Sequence, residues 1–398
     1  MATEHTSSET ERTGSESRRP DTGTDHEAPN DEATDDDDPY VIRPYEPGDR
    51  EDFLELYDQV LGDRDHEWFR WKYEDNPYVD HVPMIVATYE GTVVGTKPCF
   101  ALEVRIGSET RLGLQPADVM VHSDHRRRGL YSRTTEYLKD HYRDREPALF
   151  FNFPNEATLS GSLKHGWQIV ETVPTYYRVQ RPDAMVDDES RLSPFSRLAR
   201  PAAGAYLRVR DRLTSVPSEI NVHRFDEVPV EQFVELYESA IPGTIHANRD
   251  ETFYDWRFDN PDWSYDAYVA TRRGEPVAGI VTGTADDDGS QTTCLTDVVP
   301  LATTPHRRDG LRAIISRIVE DRRDAALLSA SGRVIPPSLL AEFGFRSDQS
   351  LPLSRLTLPT THVTYPIAND GGHEWTIGGR AVTDPSNWSI AFAEQDTW

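Results

Sequence analysis

The sequence predicts an α/β protein of mixed α+β sheets, built as two tandem domains joined by a helical linker. Three observations predict it. Phe53-Leu54-Glu55-Leu56-Tyr57 returns 180 residues later as Phe233-Val234-Glu235-Leu236-Tyr237, and Trp71-Lys72-Tyr73-Glu74-Asp75-Asn76-Pro77 returns as Trp256-Arg257-Phe258-Asp259-Asn260-Pro261. In the same order downstream, Gly91-Thr92-Val93-Val94-Gly95 matches Gly274-Glu275-Pro276-Val277-Ala278-Gly279, and His125-Arg126-Arg127-Arg128-Gly129-Leu130 matches His306-Arg307-Arg308-Asp309-Gly310-Leu311. This period is too long for a solenoid unit and suits a whole domain. Within each copy, strand-like and helix-like patterns alternate as β-α-α-β-β-β-α-β-α-β-β.

Residues 1–38 hold no large apolar side chain after Met1 and carry 13 acidic against 3 basic residues, so they are expected to be a disordered acidic tail. The first domain, 39–182, opens with a strand at Tyr40-Val41-Ile42-Arg43-Pro44. Pro47-Gly48-Asp49 then starts a helix with an apolar stripe at Phe53, Leu56, Tyr57 and Val60. A short helix with Trp68 and Trp71 stops at Asn76-Pro77. Strands follow at Met84 to Tyr89, Val93 to Val104 and Pro116 to His122, then a helix from Leu130 to about Arg143. A strand at Ala148 to Phe153, a helix at Ala157 to His165, and strands at Gln168 to Val170 and Thr175 to Gln180 complete the copy. Residues 183–218 carry a stripe through Leu198, Ala202, Tyr206, Val209 and Leu213 set among arginines, which reads as a packed connector helix rather than a membrane-surface one. The second domain, 219–359, repeats the plan, with a helix whose apolar stripe is Leu311, Ile314, Ile315, Ile318 and Val319. Residues 360–398 keep strand-like and aromatic residues and are expected to pack as a tail.

The formal net charge is −27, and of 42 basic residues only Lys72, Lys97, Lys139 and Lys164 are lysine. Such an acidic, lysine-poor surface is suited to a salt-loving, haloarchaeal cytoplasm and argues against a nucleic-acid partner. Cys99 and Cys294 stand at non-equivalent places, which leaves no disulfide framework or zinc motif. No apolar run is long enough to span a bilayer.

Chemistry concentrates where the strand Asp118-Val119-Met120-Val121-His122 meets His125-Arg126-Arg127-Arg128-Gly129-Leu130. A glycine between strand and helix permits close approach. The helix start offers unpaired amides and positive dipole, and the arginines add charge, so a pyrophosphate suits the place. With three strands before it and strand-helix-strand after it, this turn resembles that of the GNAT acetyltransferase superfamily, where it holds acetyl coenzyme A. The final small residue of the family's pattern is replaced by Tyr131. In tandem plan the chain is similar to the enhanced-intracellular-survival acetyltransferases, the mycothiol synthases and the Fem aminoacyl transferases.

The resemblance implies that Val119, Met120 and Val121 line the cofactor, with Arg126 and the amides of Arg127, Arg128, Gly129, Leu130 and Tyr131 at its phosphates. Asn152 and Asn155 would meet the pantetheine arm, and the Met120 or Val121 amide would serve as oxyanion donor. Asn155 reads equally as a helix cap. Asp118 and His122, evenly spaced on one strand, are candidates for the base. The family's usual tyrosine acid on the following helix is missing between Ala157 and His165, so Tyr176, Tyr177, Ser160 or Ser162 is the candidate acid. By analogy the terminal carboxylate of Trp398 is a further candidate base. In the second copy a two-residue insertion precedes His306 and Asp309 replaces Arg128. That copy is expected to be degenerate, and charge reversal at Arg307 is expected to leave turnover unchanged. The implied activity is acetyl-CoA-dependent transfer to a small amine, amino sugar or peptide amine, without metal. The alternatives are Fem-type aminoacyl transfer and a non-catalytic protein that binds coenzyme A or a partner.

Overall fold

The computed structural model describes residues 38–181, 218–287, 290–367 and 375–396. The acidic tail through residue 37, the linker through residue 217 and Trp398 lie outside the described residues.

The first copy comprises β1 (Tyr40–Pro44), α1 (Arg50–Val60), α2 (His66–Phe69), β2 (Met84–Tyr89), β3 (Thr92–Ile106), β4 (Glu109–Pro116) and β5 (Met120–Val121). It continues with α3 (Leu130–Tyr142), β6 (Leu149–Asn152), α4 (Glu156–Lys164), β7 (Gln168–Val173) and β8 (Thr175–Val179). The second begins with β9 (Ile220–Phe225), α5 (Val230–Glu238), β10 (His246–Ala247), α6 (Glu251–Arg257), β11 (Ser264–Arg272), β12 (Glu275–Asp287) and β13 (Ser290–Val299). Then come α7 (Arg307–Asp321), β14 (Leu327–Ser331), α8 (Pro337–Glu342), β15 (Arg346–Ser347) and β16 (Thr360–Pro366), with a small hairpin of β17 (Thr376–Ile377) and β18 (Arg380–Ala381).

The two large sheets do not respect the boundary between the repeats. One runs β1-β2-β3-β4-β6-β16-β7, with β5 and β10 also on β3, and the other β15-β8-β14-β13-β12-β11-β9. Each copy therefore gives its last strand to the other. Pro174, which has no amide hydrogen for a ladder, separates β7 from β8 and lets the chain leave the first sheet. β16 returns to fill the vacated place, pairing antiparallel with β6 and β7 on either side. The expected packed tail is thus in part a central strand, with His362, Val363 and Thr364 fully buried.

The repeated tryptophan motif makes the seam. The Trp71 indole N–H donates to the Trp256 carbonyl and the Trp256 indole N–H to the Trp71 carbonyl, each at 2.9 Å, and the rings stack with centroids 5.9 Å apart. Asn76 and Asn260 close the motif identically, each accepting the amide two residues on, at 3.1 and 3.0 Å. Helical stripes fill the cores as the spacing predicts: Phe53, Leu56 and Tyr57 on α1, Phe233, Leu236 and Tyr237 on α5, and Leu311, Ile314, Ile315, Ile318 and Val319 on α7 are all buried. Among the described residues no helix is long and apolar enough to cross a membrane.

Candidate functional site

The strand expected at Pro116 to His122 is two pieces. β4 begins at Glu109, and the chain breaks stride at Asp118, whose φ is +45°, before β5 resumes. That break cancels strand alternation, so Asp118 and His122 do not share a face. Asp118 turns toward the seam. Lys72 Nζ lies 2.6 Å from its Oδ2, and the hydroxyls of Tyr73 and Tyr57 donate to it at 2.5 and 3.4 Å. His122 instead caps the turn Ser123–His125, its Nδ1 accepting the Asp124 amide at 3.3 Å.

β4 and β6 pair in parallel only at Gly113–Leu149 and Leu114–Phe150, and then part. β5 is held on β3 through Thr96–Met120 and Gly95–Val121, and among the described residues no strand takes its other edge. The splay leads from this edge to Asn152 and Asn155. Asn152 Oδ1 accepts the Phe153 amide at 2.6 Å, while Asn155 caps α4, accepting the Thr158 amide at 3.0 Å.

At the head of the splay the exposed Arg126–Gly129 turn bends through left-handed backbone at Arg127 (φ +63°) and Gly129 (φ +76°) and opens directly into α3 with no side-chain cap. A Cβ on Gly129 would meet nothing within 4 Å, so conformation alone calls for glycine there. The first amides of α3 consequently have no side-chain cap among the described residues, an arrangement able to take an anion. Tyr131 points away from this turn. Its ring packs on Gly161 of α4, and its hydroxyl sits 3.5 Å from Ser162 Oγ and from the Thr158 carbonyl.

The second copy lacks this arrangement. Arg307 to Gly310, matched to the open turn, form the first turn of α7, and Gly310 packs so closely that a Cβ would lie 2.9 Å from that of Ala278. β13 and β14 stay paired over four registers, Thr292–Leu327 to Leu295–Ala330. Arg307, expected from the sequence to tolerate charge reversal with turnover unchanged, is buried and donates to the carbonyls of Pro300 (2.6 Å) and Val334 (2.9 Å). Reversing its charge would break the fold, so it cannot serve as a neutral control.

Chain-end residues invisible to motif reading complete the site. Gln115 Nε2 donates to the Glu394 carbonyl at 2.9 Å, and its Oε1 accepts the Asp396 amide at 3.0 Å. This brings the Asp396 carboxylate to 3.8 Å from Lys72. Burial pushes Asp396 up to about 6, against the pull of Lys72, with Asp118 adding repulsion. Asp297 sits in a more deeply buried network with a cation from elsewhere in the chain: Arg249 lies 2.8 Å from Asp297 and 2.7 Å from Glu394, and the Tyr254 hydroxyl donates to Asp297 at 3.0 Å.

A pocket of about 470 Å³ opens beside the splay, bounded by Phe153, Asn155 and Leu159 of one copy, Thr361 of the exchanged strand, and Phe392 and Gln395 of the tail. Tyr177 lines it. Tyr176 does not, because alternation along the exchanged β8 sends it into the second core. His362 stands behind Phe153, stacked at 5.0 Å, with neither ring nitrogen hydrogen-bonded and burial pushing it down to about 3. One signal for the missed residues was available: Lys72 and Lys97, half of the chain's four lysines, are both buried at this site.

Residues 41–170 match the family model described as an acetyltransferase (GNAT) domain. No curated protein sequence matches the chain. Among solved structures, a GCN5-related N-acetyltransferase from Anabaena variabilis is similar at TM-score 0.55 and 9% identity, over 83% of this chain and 73% of that one. A tandem GNAT protein from the clavulanic acid biosynthesis pathway is similar at 0.51 and 12%, over 83% and 99%. N-myristoyltransferase of Saccharomyces cerevisiae, solved with myristoyl-CoA, is similar at 0.52 and 11%, over 82% and 78%. These likenesses are of fold alone: mixed α/β sheets of the GNAT-like type, one of the similar structures being itself a tandem of two such domains.

Proposed function

We propose that this chain, with a GNAT domain in its first copy, is an acetyl-CoA-dependent N-acyltransferase acting on a small amine, amino sugar or peptide amine in a haloarchaeal cytoplasm. The observation that carries this is the open Arg126–Gly129 turn at the head of the unpaired β5 edge, present in one copy and converted to helix in the other. The α3 amides and arginines suit the pyrophosphate, and the β5 edge suits the amides of the pantetheine arm. The bound thioester supplies the acyl group. The second copy walls the acceptor pocket through Thr361, Phe392 and Gln395. Net charge of −27 weighs against charged tRNA as donor.

Calorimetry with acetyl-CoA at high salt should find one site per chain. Gly129→Asp, which combines left-handed strain of roughly 1–2 kcal/mol with a carboxylate at the phosphate position, should weaken it more than about tenfold. Two equal sites, or undiminished binding by the variant, would contradict the assignment. Binding without turnover on any amine of a broad library would instead favour a non-catalytic coenzyme A protein.

The base in this reading is the carboxylate pair around Lys72. Asp396 holds its proton below about pH 6 and can accept one above it, so the acyl-transfer rate should rise through that pH. The same raised value makes folding bind a proton: stability contributed below the ordinary carboxylate range is lost as pH climbs through about 6. Asp396→Asn should flatten both profiles. An unchanged acid limb in the rate profile would remove Asp396 from the mechanism.

A further inference from the structure

Lys97 is a buried positive charge without a counter-charge among the described residues, an expensive arrangement unless a ligand supplies the anion. It stands on β3 and is 3% exposed, with its ammonium 4.3 Å from the centroid of the Tyr131 ring. No carboxylate among the described residues reaches it, and burial pushes it down to about 8. Among the described residues the acidic group that acts on it is the Cys99 thiol, which burial pushes up to about 12 and so keeps neutral. The neighbouring Thr96 pairs with Met120, so Lys97 stands on the strand beside β5, one residue past that pair. In front of it, Tyr131 bridges from the second position of α3 to Gly161 and Ser162 of α4. The second copy, aligned through Gly95 and Gly279, has Val281 at this position. The cation therefore belongs to the copy with the open turn.

We infer that Lys97 is the partner and proton donor of the thiolate released in acyl transfer. The exposed arginines of the turn suit an anion that stays near solvent, whereas Lys97 addresses one that forms inside. The inference rests on the acyltransferase reading. In the step, the acceptor nitrogen forms a bond to the acyl carbon and the carbon–sulfur bond breaks with its electron pair on sulfur. The nitrogen's proton passes to the carboxylate pair, the Lys97 ammonium protonates sulfur, and the amine regains a proton from water. Tyr131 acts as a positioning residue, holding the ammonium over its ring face.

The test is a pH titration of the thiol of coenzyme A bound to the full-length protein, followed by the ultraviolet absorbance of the thiolate. Affinity for desulfo-coenzyme A is measured alongside. In the wild type the bound thiol should titrate about one pH unit or more below the free one, a tenfold preference for thiolate. Lys97→Met should abolish that shift while leaving desulfo-coenzyme A affinity within about twofold, and Lys97→Arg should retain part of it. Lys97→Met should also melt no lower than wild type, since it removes an unpaired buried charge. Coenzyme A bound with an unshifted thiol in the wild type overturns the inference whatever the variants do, and leaves the acyltransferase reading intact. Absence of coenzyme A binding overturns both.

Discussion

Produced without the rest of the chain, residues 39–182 should fail to fold. Their own last strand, β8, belongs in the other sheet, and the place between β6 and β7 is filled by β16, which begins only at Thr360. Removing β16 exposes the edges of β6 and β7 and takes away the strand paired with Phe150, Phe151 and Val173. Trp71 also loses its reciprocal hydrogen bonds and stacking with Trp256. Large buried aromatics are worth about 3–5 kcal/mol each, so these losses together exceed the roughly 5–15 kcal/mol that holds a domain folded. Unpaired strand edges should then promote aggregation. The check is circular dichroism and urea unfolding of 39–182 beside 39–398. A cooperative transition in the isolated half would show that the exchanged strands are dispensable.

Arg249→Met should cost about 3–5 kcal/mol, a large share of the whole stability. The guanidinium is fully buried and is shared by Asp297 and Glu394, themselves 0% and 2% exposed at the side chain. Without it two carboxylates face each other in the core with, among the described residues, the Tyr254 hydroxyl and the Ala391 and Ala247 amides as donors. Neutralising all three groups together, as Arg249→Met with Asp297→Asn and Glu394→Gln, should recover most of the loss, because no unpaired charge remains. Denaturant melts at constant salt decide the matter. A loss below about 1 kcal/mol for the single variant would mean that water or rearrangement neutralises the pair.

Periodic features were legible in the sequence. The stripes on α1, α5 and α7 stand where spacing puts them, since a helix must bury one face whatever its partner. The Arg126–Gly129 turn was legible too, because a glycine between a strand and an amphipathic helix has a local meaning. Asp118 shows the limit. Its place on a regular strand followed from alternation, but one residue of left-handed backbone redirected it to Lys72, and no propensity announces such a break. Arg307 shows the same from the other side: a residue matched by repeat to a surface turn is buried in helix because α7 starts one turn early.

By itself the sequence determined that there are two copies, that each has strands and helices of a mixed sheet, and that the turn before the third helix differs between them. These are local periodicities and a comparison of the chain with itself. Only the tertiary structure decided where β8 and β16 go, and that Gln115 draws Asp396 toward Lys72. It likewise put Tyr177 rather than Tyr176 at the pocket, and buried Lys97 with no carboxylate beside it among the described residues. Strand exchange leaves no mark on alternation because an edge pairs as well with a distant strand as with its neighbour. What selects the partner is the burial and charge balance of the completed whole.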